Sequence, residues 1–199
     1  MPQKVSRWVA CVILCMGVLS ELYAYRVSAV VFGPIAQLEK SIERIRMILF
    51  DASLDEEGRK VRLNQSLRDL FDFREMSKLA LEKYWKINAS RQDEFTEAFA
   101  GFLERLYFTH LDKIKDAKID YLSEETGILQ SAVKIEMATR NSLYELDIFM
   151  HQINGTWKIY DIDFGGIHLV HNYGQQFMRI LKNKSFDELL QMIQEKKNK

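Results

Sequence analysis

Val133-Lys134-Ile135-Glu136-Met137-Ala138 alternates apolar and polar side chains, the two-residue period of a strand with one buried and one wet face. After a turn near Arg140 to Ser142, the residues Leu146, Ile148 and Met150 continue the alternation. Asn154-Gly155 then offers a hairpin turn, because both residue types tolerate the positive φ that such turns require. On the strand beyond, a strict period of two puts Trp157, Ile159 and Asp161 on one side. Lys158, Tyr160 and Ile162 fall on the other. Ile119 and Tyr121 mark an earlier strand, and Gly165-Gly166 ends the series. Short connections between successive strands predict an antiparallel meander.

Working outward, the period on both flanks is helical. Pro34 opens a helix from Ile35 to Phe50, with Ile35, Leu38, Ile42, Ile45 and Leu49 on one face. A polar turn from Asp51 to Gly58 leads to a second helix from about Arg59 to Leu70. Asp72 caps a third, running through about Lys86 with Phe73, Met76, Leu79, Ala80, Tyr84 and Trp85 as its apolar positions. Ser90 and Asp93 resemble a capping box for a helix bearing Phe95, Phe99, Phe102, Leu103, Leu106, Tyr107 and Leu111. Beyond the meander, Val170, Tyr173, Phe177, Ile180 and Leu181 share a helical face, and Ser185 with Glu188 forms a capping box for a last helix. Helices, then a meander, then helices again define an α+β fold, with several helices on an antiparallel β-sheet.

Composition narrows the function. The 199 residues suit one domain, and 47% hydrophobic with 12% aromatic residues can bury a sizeable core. Lys plus Arg and Asp plus Glu both number 28, so the chain lacks the basic surplus that a nucleic-acid binder needs. Lys4 and Arg7 precede an apolar stretch from Trp8 to Leu19, too short for the roughly 20 residues of a membrane span and suited to a secretory signal. Cleavage is expected after Ala24, or after Ala29, so that residues 1–24 are the signal peptide and 25–199 a single domain. Cys11 and Cys15 leave with the signal, so the mature domain has no thiol.

Catalytic signatures are scarce. Gly-rich phosphate loops, nucleophile elbows and paired-histidine zinc helices are missing from the sequence. His168 and His171 could share a helical face, but a metal would need further ligands, so no metal site is expected. Asp161 is the best candidate for a catalytic group. In an apolar pocket its carboxyl would titrate high and act as a general base; alternatively it caps a neighbouring backbone or pairs with an Arg.

Four segments carry a family resemblance. They are Phe71 to Trp85 (FDFREMSKLALEKYW), Ser90 to Phe102 (SRQDEFTEAFAGF), Gly155 to Ile162 (GTWKIYDI), and Gly166 to Tyr173 (GIHLVHNY) with Gln176-Phe177. In this order and spacing they resemble the MlaC family, also called the toluene-tolerance family, over about Pro34 to Lys196. The resemblance implies a periplasmic phospholipid carrier without enzymatic activity or cofactor, exported by the signal peptide and acting as a monomer. Its implied partners are an outer-membrane lipoprotein complex and an inner-membrane ABC transporter with an MCE-domain subunit. It also implies a curved sheet that encloses an apolar cavity with the helices, the headgroup staying outside. By position, the implied lipid-binding residues are Phe73, Met76, Phe99, Leu103, Ile148, Trp157 and Ile167. His168 departs from the family, which usually has Ser there. The lipid class stays open between phospholipid, hopanoid and other apolar lipids. The alternatives are a pocket enzyme using Asp161 as base on an apolar substrate, and a ligand-free periplasmic adaptor.

Overall fold

A computed structural model describes residues 32–108 and 114–198. The expected export signal, with both cleavage sites, and Leu111 lie outside the described residues. Helix α1 spans Pro34–Phe50, α2 Glu56–Leu70, α3 Phe73–Leu81 and α4 Lys83–Ile87. A 3-10 turn at Ala89–Arg91 leads into α5, Gln92–Phe108. Strands β1 (Lys118–Thr126), β2 (Gln130–Ala138), β3 (Leu143–Ile153), β4 (Thr156–Phe164) and β5 (Ile167–His168) follow, then α6 (Leu169–Leu181) and α7 (Phe186–Asn198). The strands form one antiparallel sheet in the order β1-β2-β3-β4-β5. This is the α+β architecture expected from the sequence, with helices packed on an antiparallel sheet.

Local chemistry fixes the ends of these elements. Asp55 caps α2 and Asp72 caps α3, their side chains accepting the N–H of Gly58 and Glu75. The capping box before α7 forms as expected: Ser185 N–H donates to Glu188 Oε2 at 2.8 Å, and Glu188 N–H to Ser185 Oγ at 3.2 Å. Asn154 and Gly155 turn the β3–β4 hairpin with φ of 50° and 80°.

Two helical expectations are corrected. The stretch from Asp72 to about Lys86 is not one helix: Glu82 takes φ 48°, breaking it into α3 and α4. The break lets Trp85 turn inward, 8% exposed. At the start of α5 the Asp93 carboxylate meets Arg74 at 2.6 Å instead of folding back onto Ser90. A salt bridge to α3 replaces the capping box, since Asp is a short arm for that loop.

A third correction concerns β4. Met150 pairs with Ile159 but Phe149 pairs with Asp161, so Tyr160 is the extra residue of a β-bulge. Beyond it the facing changes phase. Ile162 pairs with the buried Ile148 and joins the inner face with Ile159, contrary to strict alternation. Asp161 pairs with Phe149 and is carried to the outer side.

Helices α1, α2, α3 and α6 contact the sheet, while α5 packs on α3 and α7 packs on both α5 and α6. The core has two regions. Among the helices, the fully buried Phe95 and Phe99 set their rings 5.7 and 5.3 Å from Phe177. Over the sheet, aliphatic side chains dominate.

The candidate lipid cavity

The space between the helices and the inner face of the sheet is not filled. A cavity of about 440 Å³ lies there, within the ~300–1,000 Å³ typical of small-molecule sites. Leu38, Ile42 and Ile45 of α1 form one wall, with Leu67, Leu70 and Phe71 at the end of α2. The sheet contributes Ile119, Ile135, Met137, Leu146, Ile148, Ile159 and Ile162. Both walls follow from pattern: α1 presents a helical stripe, β2 and β3 every second residue, and the β4 bulge adds Ile162.

Phe164, Ile167 and Asn172 also line the cavity and are exposed, the first two 48% and 59%. They mark the rim, around the Gly165-Gly166 turn and the first turn of α6. Asn172 is the one polar side chain on the wall, and no ionisable side chain lines it among the described residues. Tyr121, opposite Ile135 on the inner face, has its hydroxyl pushed up to about 12, mainly by burial, with the Glu39 charge adding and Arg46 opposing.

Of the seven implied lipid-binding residues, two are on the cavity wall and five are not. Ile148 and Ile167 are on the cavity wall. Phe73 stands one ring behind it, stacked at 5.7 Å on Phe71, which does line the cavity. Met76, Phe99, Leu103 and Trp157 are buried, at 0, 0, 0 and 5% exposure, but they are not on the wall. The helical spacing of Phe99 and Leu103 signalled burial, and burial alone does not tell a filled core from a cavity. Leu38, Ile42 and Ile45 carried the same signal yet border open space.

Asp161 sits away from the cavity wall with both oxygens engaged. Oδ1 accepts the N–H of Ile162 at 2.9 Å and of Val170 at 3.0 Å, while Oδ2 lies 2.9 Å from His168 Nδ1. This carboxylate therefore caps the first turn of α6, favourable at the positive end of the helix dipole. His168 Nε2 lies 3.4 Å from Asp163, and His171 bonds Gln175 at 2.7 Å, so the two histidines do not converge. No group of three or more His, Cys, Asp or Glu side chains suited to a metal ion occurs among the described residues. No helix among them is long and apolar enough to cross a membrane.

Comparison with curated proteins gave no match. Among solved structures, the chain is similar to a phospholipid-binding protein from Ralstonia solanacearum, determined in complex with a phospholipid. The two share 20% sequence identity at a TM-score of 0.70, over 82% of this chain and 96% of that one. That likeness establishes the fold. The sequence model of the MlaC protein family matches residues 39–195, which span nearly all of the core, the bulged strand and the cavity rim; this chain belongs to the MlaC family.

Proposed function

We propose that this protein is a periplasmic lipid carrier that shuttles phospholipid between outer-membrane and inner-membrane transport complexes. The observation that carries the reading is the 440 Å³ cavity with its almost wholly hydrocarbon wall. Family membership supports it, as does the phospholipid complex of the Ralstonia solanacearum protein of the same fold.

The energetics favour an occupant. A closed void of that volume would cost on the order of 10 kcal/mol at ~24 cal/mol per Å³, comparable with the ~5–15 kcal/mol total stability of a typical domain. Opening at the rim lowers this cost, and acyl chains remove it. Two chains with about 30 methylenes would cost about 24 kcal/mol to place in water, at ~0.8 kcal/mol each. The wall offers them hydrocarbon contacts in place of those lost from a bilayer, and binding needs no catalytic group. The headgroup remains outside the rim. Export by the N-terminal signal and delivery to an MCE-domain ABC transporter and an outer-membrane lipoprotein complex belong to the same proposal.

Native mass spectrometry of protein purified from a Gram-negative periplasm, followed by organic extraction, tests it. A discrete phospholipid adduct is expected. A bare mass that persists after incubation with phospholipid vesicles would overturn the carrier reading.

A further inference from the structure

We propose that Asn172 reads the linkage between the acyl chains and the polar end of the lipid, so that the cavity selects ester-linked over ether-linked chains. This rests on the lipid-binding reading above and extends it to a specificity determinant.

Among the described residues, every other side chain on the wall is hydrocarbon apart from the thioether of Met137, a weak acceptor. Asn172 brings two N–H donors and a carbonyl acceptor. Its polar neighbours are already committed: His168 faces Asp161 and Asp163, and His171 bonds Gln175. Asn172 makes no side-chain hydrogen bond among the described residues, which leaves its amide available to a ligand.

Depth supplies the second half of the argument. Phe164, Ile167 and Asn172 are the exposed members of the wall, so the amide stands where apolar enclosure gives way to water. In a lipid whose chains fill the cavity, the first polar atoms met on the way out are those joining chain to headgroup. In an acyl lipid these include a carbonyl oxygen, a good acceptor for the Asn172 amide N–H. In an alkyl ether lipid that carbonyl is missing, while chains and headgroup are otherwise the same. One neutral hydrogen bond in a partly wet site corresponds to roughly fivefold in affinity.

The test is competitive loading of the full protein with equimolar dipalmitoyl phosphatidylethanolamine and its dihexadecyl ether analogue, read by native mass spectrometry. The parent protein should take up the ester lipid about fivefold in preference. In Asn172→Leu, which keeps the side chain's bulk on an exposed helical position, the ratio should fall to about one through weaker ester uptake alone. A parent ratio near one, or a ratio unchanged in Asn172→Leu, overturns the assignment. Failure of the parent to load either lipid overturns the lipid-binding reading and this inference with it.

Discussion

Gly174 crosses Ala80 so closely that a Cβ on Gly174 would stand 3.0 Å from the Ala80 carbonyl oxygen and 3.3 Å from its Cα. The obstacle is backbone on α3, which cannot swing aside as a side chain can. Glycine in a helix interior ordinarily costs ~1 kcal/mol relative to alanine; here it permits the α3–α6 contact beneath the aromatic core. Gly174→Ala should therefore lose that propensity gain to the clash, and Gly174→Val should lower stability by about 1–3 kcal/mol. Urea denaturation of the two variants measures both.

Asp161 offers a second test, because it separates a structural from a catalytic carboxylate. Asp161→Asn keeps one carbonyl oxygen for the N–H of Val170 but loses the charge at the start of α6 and beside His168. A loss of about 1–3 kcal/mol in stability is expected, with lipid loading of the folded protein unchanged. An apolar-substrate hydrolase or isomerase activity that vanished in this variant would contradict the capping role.

The cavity wall and the aromatic region of the core should respond differently to substitution. Ile148→Phe adds bulk to the cavity wall and should reduce bound lipid, measured by native mass spectrometry, while leaving the fold intact. Phe99→Ala removes a ring packed on Phe95, Phe102, Tyr173 and Phe177. It should cost about 3–5 kcal/mol with little change in lipid per folded molecule.

Alkaline stability follows from three tyrosines. Burial raises Tyr121 to about 12 and also raises Tyr160 and Tyr173. Below the ordinary tyrosine range near ~10 both folded and unfolded chains hold these protons, so stability is unaffected. Between about pH 10 and about pH 12 the unfolded chain releases them first and stability falls. Urea midpoints across that interval should decline, and Tyr121→Phe should make the decline shallower.

Much of this was legible because period and punctuation are local signals. Asn154-Gly155, the Ser185–Glu188 box and the alternation through Val133, Ile135 and Met137 each act within a few residues, and each formed as read. The bulge at Tyr160 was not legible: nothing in Trp157 to Phe164 announces that one residue will be skipped, and only the pairing of β3 with β4 decides it. That one event moved Ile162 inward and Asp161 outward. The break at Glu82 was hidden for the same reason, since the residues around it are good helix formers and tertiary burial of Trp85 prevails. For the cavity, apolar side chains were recognisable as inward-facing, but whether they meet one another or leave a gap depends on helix placement. Phe99 and Ile45 are thus alike in sequence and opposite in role.

The bulge also takes Asp161 off the face that lines the cavity, and among the described residues no titratable side chain is on the wall. A wall without charge offers neither protons nor salt a direct hold on an apolar occupant, so a change of pH or ionic strength should leave hydrocarbon in the cavity undisturbed. Such an occupant would leave by a parting of the walls. One wall is α1, which borders the cavity through Leu38, Ile42 and Ile45 and is held by polar contacts. Ile35 N–H donates to Glu124 at 3.1 Å, Arg44 pairs with Asp69 at 3.2 Å, and Arg46 donates to the carbonyls of Ile114 and Ala117. Breaking these contacts would lift one wall and expose the cavity along its length.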